Sequence, residues 1–116
     1  MNDEEFEKLV AEALSSLPAE FVKKLDNVSV TFADSPTEHQ LRKMSLRPGT
    51  LLFGLYEGVP AIRRGNYTGV LPDKITIFKY SILRVSSTPE EVKAQVRATV
   101  IHEIGHYFGL SDAELK

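Results

Sequence analysis

Residues 88 to 109, TPEEVKAQVRATVIHEIGHYFG, constrain the fold of this chain more than any other run. Three start signals agree at its beginning. Thr88 can cap a helix, Pro89 suits the first helical position, and Glu91 completes a capping box three residues after the cap. Gly109 supplies a residue that readily takes the left-handed conformation ending a helix. Between these limits Val92, Val96, Val100, Ile104 and Phe108 recur at helical spacing and form one broad apolar face. Ala94, Ala98 and Gly105 make a smooth side that a second element can approach closely. This helix is the spine on which the rest of the chain has to pack.

The elements that could pack on it are short. Phe6, Leu9, Val10, Ala13, Leu14 and Leu17 repeat at helical spacing behind a capping Asn2 and Glu5, and Pro18 ends that helix and starts another through Leu25. Val28, Val30 and Phe32 alternate with Ser29 and Thr31, the signature of a half-buried strand. Residues 33 to 50 read as a polar connection punctuated by proline and glycine. Leu51 to Tyr56 is a second strand, uniformly apolar and so placed in the sheet interior. The run EGVPAIRRGNYTGVLPD reads as irregular, and a loop of that length in a small domain suits a functional rim. KITIFKY, Lys74 to Tyr80, is a third strand with an ambiguous buried face. The whole predicts a single α+β domain over residues 1–116: N-terminal helices, a small mixed sheet of three or four strands, and the long C-terminal helix.

Composition removes several function classes. The 116 residues carry a formal net charge of −2, with basic and acidic residues interspersed, so no footprint for nucleic acid or an anionic membrane surface appears. There is no cysteine, which excludes disulfides, thiol nucleophiles and cysteine-type zinc sites. No run approaches the roughly 20 apolar residues of a membrane span. The acidic N-terminus, MNDEEFEKLV, is unlike a signal peptide, which places the chain in the cytoplasm.

The chemistry lies in HEIGHYFGLSD, residues 102 to 112. His102 and His106 are about 40° apart around the helix axis and about 6 Å apart along it. Both imidazoles therefore point the same way and can present neutral nitrogens to one Zn2+ at about 2.0–2.1 Å. Glu103 is crowded as a ligand beside His102 but well placed as the general base of zinc-dependent hydrolysis. Catalytic zinc usually takes three protein ligands. A helix continued to residue 112 would carry Asp112 about 9 Å beyond His106 and onto another face. Ending the helix at Gly109 lets the chain turn back and deliver the Asp112 carboxylate. One Zn2+ per chain on His102, His106 and Asp112 is the expectation, although imidazole and carboxylate accept several divalent ions.

These residues resemble the small bacterial zincin-like metallopeptidases, minimal zincins with HExxHxxGxxD near the C-terminus. The resemblance runs upstream through LFGLYEGVP, LPDKITIFKY and TPEEVKAQVRATVIHE, and so covers most of the chain. It implies a zincin-like fold, two histidine ligands and an aspartate, the intervening glutamate as base, and peptide hydrolysis. Related chains continue further past the motif than AELK. The methionine that metzincins place beneath the metal has no counterpart, since the only methionines are Met1 and Met44. Asp112 is the third ligand that best suits the motif, with Glu114, His39 and Asp73 as alternatives.

A peptidase also needs a donor for the developing oxyanion and a grip on its substrate. Tyr67, Tyr80, Tyr107 and His39 are the candidate donors. A peptide or protein substrate could add as a strand at a sheet edge, with KITIFKY as the edge expected to receive it. The Arg63-Arg64 pair could meet a substrate carboxylate. Two other readings use the same residues: a metal-binding or protein-interaction module without turnover, and a metal-dependent amidase or esterase acting on a small substrate. The oligomeric state is not legible.

Overall fold

The computed structural model describes residues 1–25, 28–58 and 73–107. In chain order these form α1 (Asp3–Ser15), α2 (Ala19–Lys24), β1 (Val28–Ala33), α3 (Glu38–Lys43), β2 (Gly54–Glu57), β3 (Asp73–Phe78), α4 (Lys79–Arg84) and α5 (Pro89–Tyr107). Local chemistry accounts for the helix starts. The Asn2 carboxamide accepts from the Glu5 N–H at 2.8 Å, and Thr88 Oγ1 accepts from the Glu91 N–H at 3.1 Å. The Glu91 carboxylate reaches one residue further back than a standard capping box, accepting from the Ser87 N–H at 2.6 Å.

The three strands form one mixed sheet in the order β1-β3-β2, with β1 parallel and β2 antiparallel to β3. Pairing aligns Val30, Ile75 and Tyr56 across one face, with Phe32, Ile77 and Gly54 in register beside them. That face receives the helices. Phe6, Leu9, Val10 and Ala13 of α1, Ile75 and Ile77 of β3, Ile82 of α4, and Val92, Val96, Val100 and Ile104 of α5 form a single buried cluster. Phe6 and Phe32 meet edge to face with ring centroids 5.1 Å apart. The apolar stripe expected along α5 is therefore its core face.

Two strand assignments are corrected. KITIFKY is not an edge: β3 is the central strand, and five of its six residues are buried. Its alternation is ambiguous because both of its faces are covered. The strand also ends at Phe78, and Lys79 and Tyr80 open α4. The Lys79 side chain is buried and donates to the Asp3 carboxylate at 2.7 Å, tying α4 to the start of α1. The second strand, in turn, is not interior. Among the described residues β2 pairs only with β3, leaving its other side an edge.

The connection between residues 33 and 50 contains α3, which compositional punctuation conceals. Thr37 and Gln40 form a full capping box: Gln40 N–H donates to Thr37 Oγ1 at 3.0 Å, and Thr37 N–H donates to Gln40 Oε1 at 2.9 Å. Gln40 Nε2 then donates to Glu57 Oε1 at 3.1 Å, fastening α3 to the end of β2. Beyond α3, Ser45 takes a left-handed φ of 59°, and the Leu46 N–H returns to the Leu41 carbonyl at 2.8 Å. That turn reverses the chain and brings Met44 and Leu46 to the wall of the groove described below. No helix among the described residues is long and apolar enough to cross a membrane.

Candidate metal centre

The final turns of α5 bring His102, Glu103 and His106 together. One ligand atom from each lies within 4.8 Å of the other two. The two imidazoles meet edge to face with centroids 4.7 Å apart, as residues one turn apart on a helix should. Both histidines are half-buried, while Glu103 is only 5% exposed. The core face of α5 fixes where these side chains begin, because Val100 and Ile104, which bracket His102 and Glu103 and precede His106, are locked in the buried cluster.

The Glu103 carboxylate is held from two directions. The Tyr56 backbone N–H donates to Glu103 Oε1 at 2.8 Å. His106 Nδ1 lies 3.2 Å from the same oxygen, a hydrogen bond in the tautomer that carries the proton on Nδ1. A buried carboxylate needs such donors to offset its lost hydration. Contact from β2 is close because Gly54 has no side chain: a Cβ there would stand 2.5 Å from Thr99 Cγ2.

A groove of about 510 Å3 opens beside the cluster. Met44, Leu46, Leu51, Leu52 and Phe53 form its apolar wall, and Gln95, Ala98 and Thr99 of α5 lead along it to His102, Glu103 and His106. From Gln95 to His106 the helix rises about 16 Å. Titratable residues line only the His106 end. Of the smooth side expected from Ala94, Ala98 and Gly105, Ala98 lines this groove, Ala94 is exposed outside it and Gly105 is buried.

Two donors each about 2.1 Å from one zinc ion lie at most about 4.2 Å apart. The observed spread of 4.8 Å for all three is within a modest side-chain rotation of that requirement. Donor type fits as well, since imidazole pairs with carboxylate suit zinc. His102, Glu103 and His106 can therefore hold a metal ion.

The model of the zincin-like metallopeptidase family matches residues 25–116. The chain belongs to that family. The match covers β1 through the whole motif and leaves out α1 and α2, so the zincin-like part begins at the sheet. Comparison with curated proteins returns no match.

The other residues singled out from the sequence are dispersed. Asp112, Tyr67, Glu114 and the Arg63-Arg64 pair lie outside the described residues, as does the Tyr107 side chain. His39 is exposed on α3, and Tyr80 is 51% exposed on α4 with the Lys79 ammonium 5.9 Å from its ring centroid. Neither is among the groove residues. Asp73 is buried at the start of β3, apart from the zincin-like histidine cluster. Sequence reasoning missed the groove wall and the backbone of β2. A signal for the latter was present, since a glycine inside a strand often marks close backbone approach.

Proposed function

We propose that this chain is a zinc-dependent peptidase in which His102, His106 and Asp112 hold the metal and Glu103 is the general base. The observation that carries this reading is the His102–Glu103–His106 group standing at the end of an apolar groove beside β2, an edge strand among the described residues. Zinc bound there supplies Lewis acidity, polarising a carbonyl and bringing the pKa of water to about 7. Glu103 moves the proton: it takes one from the attacking water and passes it to the leaving nitrogen as the C–N bond breaks. Its burial and its hydrogen bonds keep the carboxylate aimed at the groove.

The substrate is an extended peptide or an unstructured protein segment. It would add along β2, replacing the β3 edge expected from the sequence. The Phe78 N–H donates to the Phe53 carbonyl, so Phe53, Leu55 and Glu57 turn their backbone groups inward to β3. Gly54 and Tyr56 point theirs away from β3: the Tyr56 N–H meets Glu103, and Gly54 faces the side that an incoming strand would take. The apolar wall favours a substrate with large apolar side chains beside the scissile bond. Tyr67 and Tyr107 stand as donors to the developing oxyanion, to be checked by their phenylalanine variants.

Zinc-loaded wild-type protein should cleave unfolded casein and stop on chelation. Glu103→Ala should lower kcat by about 10²–10⁴-fold while zinc stays bound. Undiminished turnover in that variant removes Glu103 from the base role. A zinc-loaded wild type that binds peptides without cleaving them favours the interaction module instead. Cleavage confined to small amides or esters favours the third reading.

A further inference from the structure

We infer that the side of β2 turned away from β3 positions the general base: the Tyr56 N–H anchors Glu103 Oε1, and Gly54 lets the strand come close enough for that bond to form. The catalytic consequence rests on the peptidase reading. The anchor itself rests on backbone geometry alone.

In the antiparallel β2–β3 ladder, hydrogen-bonded pairs alternate with non-bonded ones. Phe53 with Phe78 is a bonded pair, so the register makes Leu55 with Thr76 and Glu57 with Lys74 the next two. The Tyr56 N–H must then point away from the sheet, where an edge amide ordinarily meets water. Here it meets Glu103 Oε1 at 2.8 Å, across 47 residues of chain. Of the donors that reach this oxygen, a backbone N–H is the more rigid, since the strand itself sets its direction.

Gly54 and Thr99 set the spacing. A Cβ at position 54 would lie 2.5 Å from Thr99 Cγ2, 3.2 Å from the Thr76 carbonyl oxygen and 3.6 Å from Glu103 Cγ. Thr99 is not free to yield, because its Oγ1 donates to the Gln95 carbonyl at 2.8 Å and the residue is buried. Any side chain at 54 therefore pushes β2 off α5 and stretches the Tyr56–Glu103 bond. With its N–H engaged by Glu103, Tyr56 has no amide proton to offer an added strand, and an incoming chain would take its N–H donor from Gly54.

Amide hydrogen exchange by NMR on the metal-free protein tests the anchor without any turnover. The Tyr56 amide should be protected in the wild type and should exchange at least about tenfold faster in Glu103→Ala, while Leu55 keeps its protection. Fast exchange at Tyr56 in the wild type, or an unchanged rate in Glu103→Ala, overturns the anchor. For positioning, Tyr56→Pro is compared with Tyr56→Ala, which lacks the ring but keeps the N–H. Proline is tolerated where a strand N–H faces outward. The proline variant should have a kcat at least about tenfold below the alanine variant at equal KM on the casein-derived peptides, and equal kcat values overturn the positioning role. If the proline variant does not fold, Gly54→Ala takes its place. It should lose kcat, and Gly54→Ala/Thr99→Ser should recover most of it by removing the obstructing methyl. Loss without recovery overturns the role of Gly54. A zinc-loaded wild type without turnover defeats the peptidase reading alone, and the exchange rates still decide the anchor.

Discussion

Helix α5 turns two faces to the rest of the molecule, and they are built on opposite terms. On one, Val92, Val96, Val100 and Ile104 are sealed among α1 and the sheet, with no polar group to satisfy. On the other, Thr99, Glu103 and the two histidines meet β2 and an open groove. The first face is redundant, since several side chains share the work of burial and no single atom has to be in one place. The second depends on individual atoms: a missing Cβ at Gly54, one N–H on Tyr56, one carboxylate oxygen on Glu103. Stability should therefore respond to the packed face and chemistry to the groove face. Substitutions on each should separate the two.

The largest effect on stability should come from Ile104→Ala. Ile104 is 2% exposed, and emptying its site should cost about 2–5 kcal/mol in chemical denaturation. The zinc affinity of the molecules that stay folded should hardly change, because both histidines keep their places on the helix. A large loss of affinity without a loss of stability would reverse the assignment of the two faces. On the groove wall, Leu51→Asp should behave in the opposite way. Leu51 is 42% exposed, so unfolding should shift by no more than about 0.5 kcal/mol. Turnover of peptides rich in large apolar residues should fall about five- to tenfold, with acidic peptides hit harder and basic ones recovering.

How much of this is legible in the letters differs between the same two faces. The packed face is readable because a 3.6-residue period in Val92, Val96, Val100 and Ile104 has one physical meaning. The motif is readable because His102 and His106 need no other segment to bring them together. The groove face is a product of long-range contact, and local pattern misleads there. LLFGLY is uniformly apolar because it borders a groove and a helix, which looks the same in sequence as burial inside a sheet. In β3, Thr76 resembles an outward residue yet is buried at the centre of the sheet. The α3 helix was visible as the TEHQ capping box, outweighed by Pro36, Pro48 and Gly49 around it. Asp112, expected from the sequence to be delivered by a chain turn at Gly109, lies outside the described residues.

The smallest effect belongs to the packed side of the molecule. The Asp3 carboxylate beside Lys79 raises the Lys79 pKa above its ordinary value of 10.5 by accepting its hydrogen bond. A lysine with a raised folded pKa contributes stability that is fully present below its unfolded value and is lost as pH rises through the folded one. Asp3→Asn should therefore melt slightly lower than the wild type at neutral pH. The two melting curves should converge only above pH 10.5, and convergence near neutrality would remove Lys79 as the cause.

Zinc stoichiometry tests the central claim most directly. Wild-type protein purified under mild conditions and titrated with Zn2+ in a calorimeter should take up about one ion per chain, with 1,10-phenanthroline reversing it. His106→Ala, folded to the same degree by circular dichroism, should lose at least about 10²-fold in affinity. A wild type that takes up no zinc, or an alanine variant that binds as tightly, would contradict the account.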